Sequence, residues 1–163
     1  MNVRRCQAKD VAAVAALLDE ATTWVGERGY EQWPLPFPEE EITAAIERGE
    51  VYVAELEGDT VATVTLLWDD PIYWPHKPAD AAYVHKLAVS RACAGHRIGQ
   101  DIVEWADRTA AAAGRDFLRL DCLRDNPGIR AYYERLGFEH RGDLFVNGRE
   151  MSIYERRVHT ARD

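Results

Sequence analysis

The residues best suited to chemistry lie between Tyr83 and Gly99, in Tyr-Val-His-Lys-Leu-Ala-Val-Ser followed by Arg-Ala-Cys-Ala-Gly-His-Arg-Ile-Gly. A short apolar strand runs into a glycine-containing loop. A helix follows at once, its apolar positions Ile98, Ile102, Val103, Ala106 and Ala110 recurring at helical spacing. Strand, loop and helix N-terminus together make an anion site, because unbonded N–H groups point outward at the positive end of the helix dipole. That arrangement suits a phosphorylated cofactor. His85, on the strand, has the side chain whose ordinary pKa of about 6.5 fits proton transfer near neutrality. A phosphate-binding loop of the Gly-Lys-Ser/Thr kind is excluded, since no such triplet follows the glycines.

The elements that must position these residues follow from periodicity and turn chemistry. Asn2 to Cys6 reads as a first strand, and Asp10 is the expected N-cap of a helix carrying Val11, Val14, Leu17, Leu18 and Ala21. Trp24 to Pro38 reads as irregular, with Trp24, Tyr30, Trp33, Phe37 and three prolines. Glu39 to Arg48 is predicted as a short amphipathic helix closed by Gly49. Val51 to Leu56 and Thr60 to Trp68 alternate as strands around Glu57-Gly58-Asp59. A proline-rich loop bearing Tyr73 and Trp74 precedes the strand at Tyr83.

The long helix from Ile98 is expected to end near Gly114, and Phe117 to Leu123 forms another strand. Asn126-Pro127 opens a helix, with Asn as N-cap and Pro at the first helical position, and Gly137 stops it. A final hairpin spans roughly Glu139 to Val158 and turns at Asn147-Gly148. The order β-α-α-β-β-β-α-β-α-β-β predicts an α/β protein, a mixed sheet flanked by helices. No repeat or linker interrupts it, so residues 1–163 are expected to form a single domain.

Composition narrows the function classes. A formal charge of -8 without a basic stripe argues against nucleic-acid binding. No long apolar run follows the charged N-terminal residues, so neither a signal peptide nor a membrane span is expected. Cys6, Cys93 and Cys122 are unclustered and lack metal spacing, which argues for a reducing, cytoplasmic setting and for no metal. Cys93 and Cys122 read as small hydrophobes, with no base in the sequence pattern to activate an acyl-enzyme nucleophile.

The element order, together with "LAVS…AGHRIG" and "NPGIRAYYERLGF", resembles the GNAT superfamily of acyl-CoA-dependent N-acyltransferases over nearly the whole chain. The Tyr-Glu-Arg-Leu-Gly-Phe ending of Asn126 to Phe138 is the most specific part. The resemblance implies the GNAT fold, acetyl-CoA as the bound cofactor and direct acetyl transfer to a primary amine of a small molecule or peptide. Homodimers are common in the family, which leaves that state open here. A non-catalytic GNAT-fold module that binds CoA or another ligand is the alternative.

Several residue roles carry over. The family's loop pattern, Arg/Gln-x-x-Gly-x-Gly/Ala, falls on Ala94, Gly95, His96, Arg97, Ile98 and Gly99, with Gln100 just inside the helix. The leading basic residue is therefore Ala94 and the middle glycine is Arg97, which gives up close approach and positive φ. Arg97 or Arg91 is expected to supply the cation to the CoA phosphates. Leu87, Ala88 and Val89 offer backbone groups to pantetheine and to the thioester oxyanion, besides packing as core. Asn126 adds a hydrogen bond to the pantetheine arm.

Tyr133 matches the helix tyrosine that protonates the departing thiolate, against the plainer alternative of a buried core tyrosine. His85 lies where family counterparts handle the amine proton, with Tyr83 or a water chain as fallback and an ordinary strand histidine as the plainer reading. Trp24, Trp33 and Tyr83 are expected on the acceptor side. The acceptor itself stays open among antibiotic amines, polyamines, amino acids and protein N-termini.

Overall fold

The computed structural model describes residues 1–159. Seven strands are hydrogen-bonded in the order β1-β2-β3-β4-β5-β7-β6. They are β1 (Asn2–Arg5), β2 (Val51–Leu56), β3 (Asp59–Leu67), β4 (Ala81–Val89), β5 (Phe117–Leu123), β6 (Glu139–Val146) and β7 (Arg149–Arg157). The helices are α1 (Val11–Gly26), α2 (Glu39–Glu47), α3 (Ile98–Ala112) and α4 (Pro127–Arg135). The expected mixed sheet with flanking helices is what forms. The β4–β5 pair is parallel, in register from Ala81–Phe117 to Val84–Leu120, whereas β5–β7 and β6–β7 are antiparallel.

The chain forms two compact units. The first comprises Met1–Leu66 and Lys86–Ile102, and the second Leu67–His85 and the residues from Val103 onward. In the first unit Val14, Ala15, Leu17 and Leu18 of α1 pack with Ile42, Val51, Val53 and Ala88. Leu18 is 1% exposed, a burial worth about 2 kcal/mol for a side chain of its size. In the second unit Trp74, Ala81 and Tyr83 form a cluster with Leu67, Tyr73, Phe117 and Ile153 against it. The hairpin turns fall where Gly58 and Gly148 hold positive φ, preceded by Glu57 and Asn147 in the same region.

Two local expectations need correction. Asp10 stands at the N-cap position of α1, but its side chain makes no cap hydrogen bond. It ends a short 3-10 turn (Ala8–Asp10), accepts the Gln7 N–H at 2.7 Å and holds both terminal nitrogens of Arg4 at 2.8 and 3.0 Å. Arg4 competes successfully for the carboxylate because a bidentate, charge-assisted pair outweighs a single cap bond. Trp24 also lies within α1 rather than in the irregular segment, which starts only after Gly26. The aromatic residue that opened that segment on the page is the last-turn residue of a helix.

Candidate active site

The features expected to bind phosphate belong to the first unit. After β4 the chain makes a 3-10 turn (Arg91–Cys93), and Ala94, Gly95, His96 and Arg97 then form an exposed loop into α3. The Ala94 N–H bonds Arg91 and the His96 N–H bonds Cys93, which fixes the loop's shape. Gly95 holds φ at +83°, where any side chain would be strained. Asp101 N–H donates to the Arg97 carbonyl at 3.0 Å and starts the helical ladder. The N–H groups of Ile98 and Gly99 precede that bond, at the positive end of the helix. Ile98 is buried and anchors the first turn, while Gly99 and Gln100 are half-buried beside it.

Arg97 stands in the left-handed region at φ +60°. Contrary to the expectation that arginine gives up positive φ, the position takes the left-handed backbone that glycine favours and carries an exposed guanidinium in addition. Arg91, the other expected phosphate cation, lies with its guanidinium 4.1 Å from the Trp24 ring centroid, and its N–H donates to the Glu20 carboxylate. Arg28 stacks on the same indole at 3.6 Å. Trp24 is thus a half-buried platform for two guanidinium groups, and Trp33 packs half-buried against the core of the first unit.

Strand β4 carries residues of both units, the passage falling between His85 and Lys86. Lys86 takes φ +48°, a left-handed conformation that interrupts the extended backbone of the strand. Leu87 and Val89 are half-buried and Ala88 is buried.

The second unit holds the ionisable groups. His85 Nε2 lies 2.7 Å from Asp70 Oδ2, and its Nδ1 lies 3.3 Å from Asp121 Oδ1. The Tyr73 ring packs against the imidazole at 5.7 Å between centroids. Tyr133, on α4, is buried with Tyr132 and Phe138 set edge-on to its ring. Burial pushes its hydroxyl well above the usual tyrosine range, with Tyr132, Cys122 and Asp121 adding to the effect. That hydroxyl stays protonated through neutral pH and can act as a donor. Its helix is fixed as expected, with Asn126 Oδ1 accepting the Ile129 N–H at 3.2 Å, Pro127 at the first helical position and Gly137 at φ +85°.

Tyr83 is placed differently from its expected acceptor-side position. It is 2% exposed, and its hydroxyl accepts from Arg119 Nη1 at 2.9 Å. Arg119 also donates to Asp80 at 2.8 Å and Glu155 at 2.7 Å, forming a buried polar network. Burial pushes the Cys122 thiol up to about 12, far from thiolate chemistry. Asp70 and Asp121 were not singled out by sequence reasoning. Asp121 did leave a signal, as a lone acid in the apolar strand Phe-Leu-Arg-Leu-Asp-Cys-Leu; Asp70, in a polar turn, left none.

The element order, with a glycine loop after the fourth strand and an Asn-capped fourth helix, is that of an acyltransferase fold. The model of the Acetyltransferase (GNAT) family matches residues 14–138. The chain belongs to the GNAT acetyltransferase family and is an acyltransferase enzyme. It is 30% identical over 142 residues to YesJ, an uncharacterized N-acetyltransferase of Bacillus subtilis (strain 168), covering 82% of this chain and 79% of the relative. A GNAT-family acetyltransferase from Listeria monocytogenes 4b F2365 superposes with a TM-score of 0.75 at 26% identity, covering 96% of this chain and 94% of that one.

The fold is shared as well with N-acetylglutamate synthase of Neisseria gonorrhoeae, solved with coenzyme A and N-acetyl-glutamate. That match has a TM-score of 0.73 at 19% identity, over 98% of this chain and 35% of the synthase. Among the described residues, no helix is long and apolar enough to cross a membrane.

Proposed function

We propose that this enzyme transfers the acetyl group of acetyl-CoA directly to a primary amine of a small molecule or peptide. The observation that carries the reading is the loop from Ala94 to Gln100, which keeps a glycine-type backbone even at Arg97. A pyrophosphate suits that donor set, with the N–H groups of the loop and the first turn of α3 as ligands and the Arg97 guanidinium as counter-charge. Backbone groups of Leu87, Ala88 and Val89 would hold the pantetheine, an N–H near Leu87 or Ala88 would serve the oxyanion, and Asn126 would add a bond to the arm.

Bound acetyl-CoA supplies a thioester, whose carbonyl carbon takes the amine and whose sulfur leaves as thiolate. His85 removes the proton of the incoming ammonium, directly or through one water. Tyr133, a phenol that is protonated at neutral pH, donates to the leaving thiolate. A thiolate leaves readily, so this acid is worth roughly 10²–10³-fold. Trp24 and Trp33 border the acceptor, whereas the bonded hydroxyl of Tyr83 argues for a structural role.

The test is release of free thiol from acetyl-CoA across a panel of polyamines, amino acids, aminoglycosides and peptides, with the product identified by mass spectrometry. Acceptor-dependent thiol release with an N-acetylated product is the expected result. CoA binding by calorimetry without thiol release on any amine would overturn the reading.

A further inference from the structure

His85 has a carboxylate at each ring nitrogen, and both come from outside its own strand. Asp70 lies in the loop after β3. Asp121 lies on β5 one residue beyond Leu120, just as His85 lies one residue beyond Val84, the partner of Leu120 in the last registered pair. The three side chains are only 14%, 6% and 9% exposed for His85, Asp70 and Asp121. A neutral imidazole has one N–H and one lone pair, so it cannot donate to both carboxylates. In a neutral ring the shorter contact, 2.7 Å from Nε2 to Asp70 against 3.3 Å from Nδ1 to Asp121, is the one that favours holding the hydrogen, which would leave the lone pair on Nδ1.

We propose that Asp70 and Asp121 are positioning residues for acetyl transfer: Asp70 fixes the Nε2–H tautomer of His85, and Asp121 stabilises the imidazolium formed when Nδ1 takes the amine proton. This rests on the reading of His85 as the base. In the step, an ammonium N–H bond breaks as Nδ1–H forms. The freed pair on nitrogen forms the C–N bond at the thioester carbonyl while the C–S bond breaks. The thiolate takes its proton from Tyr133, the second proton shed by the nitrogen as the amide forms restores the phenol directly or through water, and the imidazolium returns its proton to water. Asp121, 3.3 Å from Nδ1, then faces a positive ring, and the attraction favours the products of proton transfer.

The same logic operates wherever a carboxylate fixes a histidine tautomer for proton transfer. The other groups near the ring are the Tyr73 ring and, acting on its hydroxyl, Arg149 of β7. Burial, aided by Asp121 and Asp70 and opposed by Arg149, raises the Tyr73 hydroxyl above its usual range, so it stays neutral near pH 7.

Long-range proton–nitrogen spectra of protein labelled with ¹⁵N-histidine read the tautomer directly in the intact wild-type chain, and His85→Gln identifies the resonance. A neutral ring protonated at Nε2 is expected. A neutral ring protonated at Nδ1, or one still doubly protonated at the pH of full activity, overturns the proposal. In kinetics, Asp70→Asn and Asp121→Asn should each lower kcat by about 10²-fold with the Kd for CoA unchanged. The acid limb of kcat/KM should move to lower pH in Asp121→Asn. Full turnover in His85→Gln would remove His85 as the base. Loss in His85→Gln alongside wild-type turnover and pH profile in both aspartate variants would leave the base standing and refute the positioning roles.

Discussion

Arg97 holds φ at +60° in an exposed loop, a conformation in which an L-residue carries a cost that glycine escapes. That cost is about 1–2 kcal/mol. Glycine returns part of it through the extra freedom of its unfolded chain, about 0.5–1 kcal/mol. Arg97→Gly should therefore stabilise the protein by about 0.5–1 kcal/mol, a Tm rise of about 1–4 °C for a chain of this size. Arg97→Ala is the control, because alanine meets the same left-handed backbone and should leave Tm nearly unchanged. Differential scanning calorimetry of the three proteins without ligand reads this difference, and coincident Tm values for the glycine and alanine variants would refute the backbone argument. Calorimetric titration with CoA then isolates the guanidinium. Both variants should lose about 1–3 kcal/mol of binding, as for a charge-assisted bond, with a shallower salt dependence. Tighter binding in Arg97→Gly would mean that the side chain obstructs the loop rather than compensating for the missing glycine.

The remaining expectations concern ligand class, acid stability and the buried network. On the proposed reading acetyl-CoA should raise Tm while ATP and NAD do not, because they share its pyrophosphate but lack the pantetheine that the backbone of Leu87, Ala88 and Val89 would hold; equal shifts with ATP would contradict that selectivity. Arg4 holds the Asp10 carboxyl below the usual carboxylate range, so the unfolded chain binds that proton more tightly and the pair's contribution disappears as pH falls. Asp10→Asn should cost about 1 kcal/mol near pH 7 in chemical-denaturation curves, a cost that shrinks as pH falls below the ordinary aspartate pKa of about 4. Tyr83→Phe should cost about 1 kcal/mol of stability through its lost bond from Arg119 and leave the acceptor KM unchanged. A rise in that KM would restore Tyr83 to the acceptor side.

The sheet and helices were legible because their signals are local. Apolar periodicity marked α1 and α3, Asn126-Pro127 and Gly137 bracketed α4, and Asn147-Gly148 marked the last hairpin. What escaped the sequence depends on contacts far apart along the chain. Asp10 looked like a cap, but Arg4 takes its carboxylate. Trp24 looked like a loop aromatic, but α1 continues through it and two guanidinium groups cover its ring. His85 was visible as a strand histidine, whereas its partners lie 15 residues before it and on a different strand after it. The left-handed backbone at Arg97 was visible only as a missing glycine.

In the proposed reaction the Tyr133 hydroxyl, protonated at neutral pH as phenols are, donates its proton to the leaving thiolate. Tyr133→Phe retains the ring and its packing on Tyr132 and Phe138 and removes only the proton donor. The decisive measurement is kcat of that variant at saturating acetyl-CoA, beside Tyr132→Phe as the internal control. The account predicts a fall of roughly 10²-fold for Tyr133→Phe with the Kd for CoA nearly unchanged, and a near-wild-type kcat for Tyr132→Phe. Full activity in Tyr133→Phe, or equal losses at both positions, would contradict it.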